Sequence, residues 1–154
     1  MLDQLIIRKA TLNDLKALLR IEQGIINAER QYDKTIKPGQ IRYYDLESML
    51  QSPDVEIVVG EYKEEIIASG YARLQKSQPY LAHEQHAYMG FMYVHPDYRG
   101  RGVIQKIMDA LKKWTAAQGL TEMRLEVYFN NESAIKAYEK LGFTKHIIEM
   151  RMAL

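Results

Sequence analysis

Two arginines and two glycines alternate at Arg99-Gly100-Arg101-Gly102. Arginines supply fixed positive charge, and glycines let the backbone approach a ligand closely. Upstream, Phe91-Met92-Tyr93-Val94 is an apolar run that stops at Pro96, which has no donor to continue a strand ladder. Downstream, Ile104, Ile107, Met108 and Leu111 recur at helical spacing. Strand, glycine loop and helix together aim several free backbone N–H groups at one point, and the helix dipole adds to their preference for an anion. The loop reads as a phosphate cradle; a basic turn that only caps a helix is the alternative. The lysine and Ser/Thr that end a P-loop are absent, as are the three glycines of a dinucleotide fingerprint.

A second stretch, Leu125 to Phe143, carries Glu126, Asn131 and Tyr138. Asn131 suits a helix cap, a ligand contact, or both. Tyr138 follows it by seven residues, two helical turns along. With a reference pKa near 10, its phenol is protonated at neutral pH and can return a proton to a thiolate. Ile135, Tyr138 and Leu141 share helical spacing, so a core aromatic is the competing reading.

Val94 to Ile104 resembles the acyl-CoA pyrophosphate loop of the GNAT N-acetyltransferase superfamily. That pattern is Arg or Gln, two residues, Gly, one residue, then Gly or Ala. Arg99 and Gly102 match it, and Ile104 departs from it. The second stretch resembles the closing strand–helix–strand unit of the same superfamily, with matches at Asn131, Ala134, Tyr138, Gly142 and Phe143. The resemblance covers nearly the whole chain. It implies that Arg99, Gly100, Arg101, Gly102, Val103 and Ile104 hold the diphosphate of acetyl-CoA, and that Asn131 is a further cofactor contact. It implies too that the strand before the loop kinks at a bulge and parts from its neighbour. Backbone at Met92, Tyr93 and Val94 then pairs with the pantetheine arm, and a free N–H serves the oxyanion. The superfamily gives the proton-donor role to the tyrosine at the position of Tyr138.

The base is less determined. Many relatives keep a glutamate four residues before the valine of the loop strand, where this chain has Gly90. Others, resembling ribosomal-protein and N-terminal α-amino acetyltransferases, use a glutamate twelve residues before the tyrosine, and Glu126 holds that place. A solvated glutamate on an exposed strand face is the other reading of Glu126. His86 and Tyr88 share strand parity with Gly90 and stand in reserve. His95, before Pro96, reads as structural. His83 and His146 show no ligand spacing, so no metal site is expected. By the same resemblance, the helix–loop–helix region forms one wall of the acceptor site, making Tyr32, Asp33, Tyr43, Tyr44 and Glu47 candidate contacts or ordinary rim residues.

These groups need elements to place them. Leu5 to Ile7 begins a first strand. Thr11 with Asp14 forms a capping-box pattern, and Leu15, Leu18, Ile21 and Ile25 mark a helix from Leu12 towards Arg30. Lys37-Pro38-Gly39 marks a loop, Tyr44 to Gln51 a short helix, and Val55–Tyr62 with Ile66–Gln75 an antiparallel pair. Gln85 to Val94 is the central strand. The loop helix runs to about Gln118, with Gly119 as its cap. Met123 to Tyr128, Ser133 to Leu141 and Phe143 to Met152 close the chain as strand, helix and strand. The expected fold is α/β (α+β): a single GNAT-like domain over 1–154, with a mixed, mostly antiparallel central sheet and helices on both faces.

At 154 residues, 47% hydrophobic and 27% charged, the composition is ordinary for a globular protein. The net charge of +1 gives no field to draw nucleic acid or an acidic membrane. There is no cysteine, which removes disulfides, thiolate zinc sites and a thiol nucleophile. Met1 to Lys9 lacks the apolar core of a signal peptide, and no run nears the ~20 residues of a membrane span. A cytoplasmic protein is expected. The functional expectation is an acetyl-CoA-dependent N-acetyltransferase acting by direct transfer on a primary amine. The amine belongs to a small molecule, a peptide N-terminus or a lysine. The alternative is a non-catalytic acyl-CoA-binding sensor of the same fold. An RNA-binding module lacks a basic face or an aromatic stacking ladder. Homodimers are common in the superfamily, so the resemblance admits one.

Overall fold

A computed structural model of the chain describes residues 2–154. The strands are β1 (Ile6–Lys9), β2 (Val55–Tyr62), β3 (Glu65–Lys76), β4 (Gln85–Val94) and β5 (Met123–Arg124). The helices are α1 (Leu15–Glu29), α2 (Leu46–Gln51), α3 (Val103–Ala117) and α4 (Glu132–Lys140). The strands form one sheet in sequence order, antiparallel except for the β4–β5 pair. The expected mixed, mostly antiparallel sheet with helices on both faces is therefore present.

The entry to α1 is a 3-10 turn over Leu12–Asp14, where the Thr11 N–H donates to Asp14 Oδ2 at 2.7 Å. Asp14 also takes a two-point bond from Arg8, with Nη1 at 2.8 Å and Nη2 at 2.9 Å, which locks the helix start to β1.

Side-chain alternation sorts the core onto two faces. Val58, Ala68, Ala72, Ala87 and Met89 meet Ile107, Met108 and Leu111 of α3 on one face. Ile57, Val59, Tyr71 and Phe91 meet Leu18, Ile21 and Leu46 on the other. Helix α3 sits close to the sheet at Gly70, where a Cβ would lie 2.7 Å from Met92 Sδ and 2.9 Å from Ile107 Cγ2.

Two expected strands differ from the structure. The strand expected over Met123–Tyr128 is paired only at Met123 and Arg124, because β4 and β5 diverge beyond that point. The strand expected over Phe143–Met152 is not in the sheet. Among the described residues, no backbone–backbone hydrogen bond reaches 144–154.

Candidate active site

Strand β4 positions the site through a break in its own alternation. Its register with β3 shifts between Ser69 and Tyr71, and Phe91 adopts φ +59°, a left-handed conformation rare for a bulky residue. The Phe91 carbonyl accepts a bond from Ser69 Oγ at 2.8 Å. This is a bulge, and it flips side-chain parity. Ala87 and Met89 face α3, Gly90 and Phe91 face the α1 side, and Met92 and Val94 face α3 again.

Beyond Ala87–Met123 and Tyr88–Arg124, β4 pairs with β3 alone. The two parallel strands open into a split, and the edge of β4 carrying Met92, Tyr93 and Val94 lines it. The loop that follows lies at the same end. His95 caps a 3-10 turn over Pro96–Tyr98, accepting from the Asp97 N–H at 3.2 Å, so its structural reading holds. Arg99 folds back to donate from Nε to the Val94 carbonyl at 2.9 Å. Arg101 lies over the Tyr98 ring at 5.8 Å. Gly100 and Gly102 take φ +72° and +77°, where glycine is the unstrained choice. Helix α3 thus starts from a left-handed glycine, and Lys106 makes the first helical N–H bond, to the Gly102 carbonyl. The N–H groups of Val103, Ile104 and Gln105 precede that bond and are free for an anion. The Ile104 side chain is partly buried and packs against the core beneath α3.

Asn131 caps α4 by accepting from the Ala134 N–H at 3.3 Å. Two turns on, Tyr138 packs edge-on against Phe143, with centroids 6.1 Å apart. Burial raises its phenol to about 12, and the charge of Glu29 adds to the rise.

Glu29 is the residue that sequence reading missed. It ends α1, half-buried, and accepts from the Tyr43 hydroxyl at 3.2 Å. Burial raises its carboxyl above the usual range, with the Tyr43 bond partly opposing. Its charge also helps to raise Tyr44, Tyr88 and Tyr128, each shifted first by burial. Glu126, whose side chain is exposed, adds its charge to the rises of Tyr71, Tyr88 and Tyr128 as well, so both carboxylates border the tyrosine-lined space around Tyr88 and Tyr128. The signal for Glu29 was its place: a carboxylate in the last turn of a helix opposes the dipole, and something else must hold it there.

The wall of this space is built by Glu22, which is fully buried. Its Oε2 accepts from the N–H groups of Tyr43 at 3.1 Å and Tyr44 at 2.9 Å, and its Oε1 lies 3.5 Å from Arg42 Nε. Tyr44 then meets Tyr71 and Phe91 edge-on, at 5.4 and 5.7 Å. Tyr32 stacks on Tyr128 at 5.7 Å, and Asp33 accepts from Arg151 at 3.1 Å. Glu47 shares with Arg42 and Tyr44 a concavity of about 420 Å³ that Leu15 and Leu19 also line. A second concavity, about 520 Å³, reaches Tyr93 and His95 from the β1 side. Neither contains Tyr138 or the glycine loop.

Gly90 has a physical reason. A Cβ there would lie 2.5 Å from Tyr71 Cζ and Oη, so the ring of Tyr71 fills the place of any side chain at 90. His86 is buried and shares a 2.9 Å bond with Ser77 through Nδ1, which ties it to the β3 end of the sheet. Tyr88 lies under Arg73, at 4.9 Å from ring centroid to guanidinium.

Residues 23–143 match the model of the Acetyltransferase (GNAT) family. Acetyltransferase SG1711 of Sodalis glossinidius (strain morsitans) is 31% identical over 108 residues, covering 70% of each chain. The BH1408 protein from Bacillus halodurans, solved as a mutant, superposes with a TM-score of 0.87 at 22% identity, over 97% of this chain and 99% of that one. Aminoglycoside N-acetyltransferase AAC(6')-Iy, solved in complex with CoA, gives 0.73 at 18% identity, over 97% and 100%. The glycine loop, the divided β4–β5 pair and the family match agree, and the chain belongs to the GNAT acetyltransferase family.

Proposed function

We propose that the protein moves the acetyl group of acetyl-CoA directly to the primary amine of a cationic acceptor. The observation that carries this reading is the split itself. It has free α3 amides and arginines at one end, and the partly buried Tyr138 with the carboxylates of Glu29 and Glu126 are the groups proposed to act along it. The loop fits the donor: glycines hold the conformations a close backbone approach needs, and Arg99 and Arg101 flank the free N–H groups. Acetyl-CoA would supply the activated acyl group there.

The acceptor enters as an ammonium, drawn by Glu29 and Glu126, and one of them takes its proton. The amine nitrogen then attacks the thioester carbon, whose oxygen gathers charge beside a free N–H of the β4 edge. The C–S bond breaks and the electron pair leaves on sulfur. Tyr138 donates a hydrogen bond to that sulfur. A phenol at about 12 is a weaker acid than a thiol near 8.5 by about three powers of ten, so full transfer needs the proton of the new N-protonated amide to follow. AAC(6')-Iy is named for transfer to an aminoglycoside, a polycationic amine, which accords with a paired-carboxylate site. A peptide terminus or lysine side chain fits the same chemistry. A single catalytic domain in the cytoplasm completes the proposal.

The test is thiol release from acetyl-CoA with mono-, di- and polyamines, together with CoA binding by calorimetry. Tyr138→Phe is expected to lower kcat by about a hundredfold, within the range for a positioned acid, while CoA affinity stays unchanged. Arg99→Ala is expected to weaken CoA binding instead. CoA binding with no thiol release across the amines would favour the acyl-CoA-binding sensor.

A further inference from the structure

Arg73 is a cation that the fold leaves unanswered. Of the half-buried arginines, Arg8 pairs with Asp14 and Glu61, Arg124 pairs with Glu122, and Arg30 donates to the carbonyls of Lys37 and Gly39. Arg73 is half-buried too, yet its Nε is covered and has no hydrogen-bond partner among the described residues. Its guanidinium joins none of their ion pairs. It rests on rings instead, 4.9 Å from the Tyr88 centroid and 5.9 Å from that of Tyr71. Tyr71 is buried and meets Tyr44 edge-on, so this platform is fixed. A guanidinium stays charged, and contact with ring faces offsets only part of the cost of taking it out of water. An anion is the missing partner.

Sheet register says which anion. Arg73 lies opposite Tyr88 and Tyr71 opposite Gly90, on the α1 side of the sheet. Val94, where the glycine loop begins, lies opposite Ala68, five residues of β3 and about 17 Å from Arg73. The donor's diphosphate is therefore out of reach, and the partner belongs to the acceptor. The charges around it are mixed. Burial and the charge of Glu126 raise the Tyr88 hydroxyl to about 12, Glu29 adds to the rise, and Arg73 opposes it. Arg73 and Glu126 oppose each other at Tyr71 as well. A polycation would answer the two carboxylates and set further positive charge against Arg73. A phosphate dianion would bring a second negative charge beside those carboxylates, where Arg73 is the one cation acting on Tyr71 and Tyr88 among the described residues. A carboxylate has one charge and two coplanar oxygens, which match the guanidinium fork.

We propose that Arg73 binds a carboxylate of the acceptor, so that the acceptor is a small amine bearing its own carboxylate, an amino acid. The carboxylate takes the guanidinium fork over Tyr88, whose protonated hydroxyl is a neutral donor beside it. The ammonium of the same molecule turns to Glu29 and Glu126. Because it rests on the acetyl-transfer reading, this site narrows the acceptor of that transfer and leaves its bond-making step as already written.

Steady-state thiol release and calorimetry on the CoA complex test it, with the common α-amino acids, β-alanine and γ-aminobutyrate, each beside its primary amide. The amide keeps the amine and removes the carboxylate charge. At least one amino acid is expected to exceed its amide in affinity and in kcat/KM by about thirtyfold, the size of a hydrogen bond to a charged group. Arg73→Met keeps an apolar stem over the rings and removes the charge. It should raise KM for that amino acid by about thirtyfold with kcat nearly unchanged, and leave the amide's kcat/KM and CoA affinity as they were. Arg73→Lys should recover only part of the loss, because an ammonium has no planar fork. Acetyl transfer and the carboxylate site fail separately. Binding of an amino acid that depends on Arg73, without thiol release, would support the carboxylate site and remove acetyl transfer. Turnover of amino acids and amides alike, unchanged in Arg73→Met, would keep acetyl transfer and overturn the carboxylate site. So would an equal loss for amino acid and amide in Arg73→Met, which would make Arg73 a support for the tyrosine rings. So would a panel in which no amino acid binds better than its amide.

Discussion

Glu29, proposed to meet the cationic acceptor, is a residue whose charged form the fold disfavours. Its carboxyl is raised by burial, so the neutral form is the one the folded state favours. A group raised in this way contributes stability that is fully present below its unfolded pKa and is lost as pH rises through the folded one. Once ionised, Glu29 is therefore a burden on the fold. Glu29→Gln should raise Tm at pH 7 and have little effect on it at pH 4, while lowering kcat with a cationic amine by about a hundredfold. A fall in both Tm and kcat would make Glu29 a structural partner of Tyr43 only. Asp14 has the opposite sign. The Arg8 guanidinium holds its carboxyl below the usual carboxylate range, so its contribution exists above the unfolded pKa and is lost on acidification. Asp14→Asn should cost about 1.5–3 kcal/mol at pH 7, the range for hydrogen bonds to charged groups, and less as pH falls towards 3, as urea unfolding at each pH would show.

At the scale of elements, the loop and its flanking helix were legible because they are contiguous. Arg99, the glycines and the α3 stripe lie within a dozen residues, and local chemistry fixes the turn. Asn131 and Tyr138 were legible for the same reason, as a cap and a residue two turns along one helix. Glu29 was not, because its surroundings come from a loop at Tyr43 and from Tyr88, Tyr128 and Tyr138, all distant in the chain. The bulge in β4 was expected from the resemblance alone, and the structure has it at Phe91. Apolar residues stand on both sides of it, so alternation in the sequence does not mark where the faces change. The final segment carries a period-two pattern yet joins no ladder among the described residues, because pattern alone does not supply a neighbouring strand. Gly90 shows how the bulge constrains chemistry. The Tyr71 ring is buried and cannot retreat, so Gly90→Ala should destabilise by about 1–3 kcal/mol, as overpacking does. Gly90→Ala combined with Tyr71→Leu should lose less than the sum of the single changes, a coupling measurable by a double-mutant cycle.

For the whole molecule, donor binding and folding are linked by mass action. The glycine loop and Arg99 lie between β4 and α3, and the Arg99 side chain bonds the Val94 carbonyl, so the loop has this shape only in the folded chain. A donor that binds the folded chain alone stabilises it. CoA at about 100 times its Kd should add about 2.7 kcal/mol to the wild type, as urea unfolding with and without CoA would show. Arg99→Ala should reduce this increment at the same CoA concentration. An increment unchanged in Arg99→Ala would mean that the free amides at the start of α3 hold the diphosphate without the guanidinium.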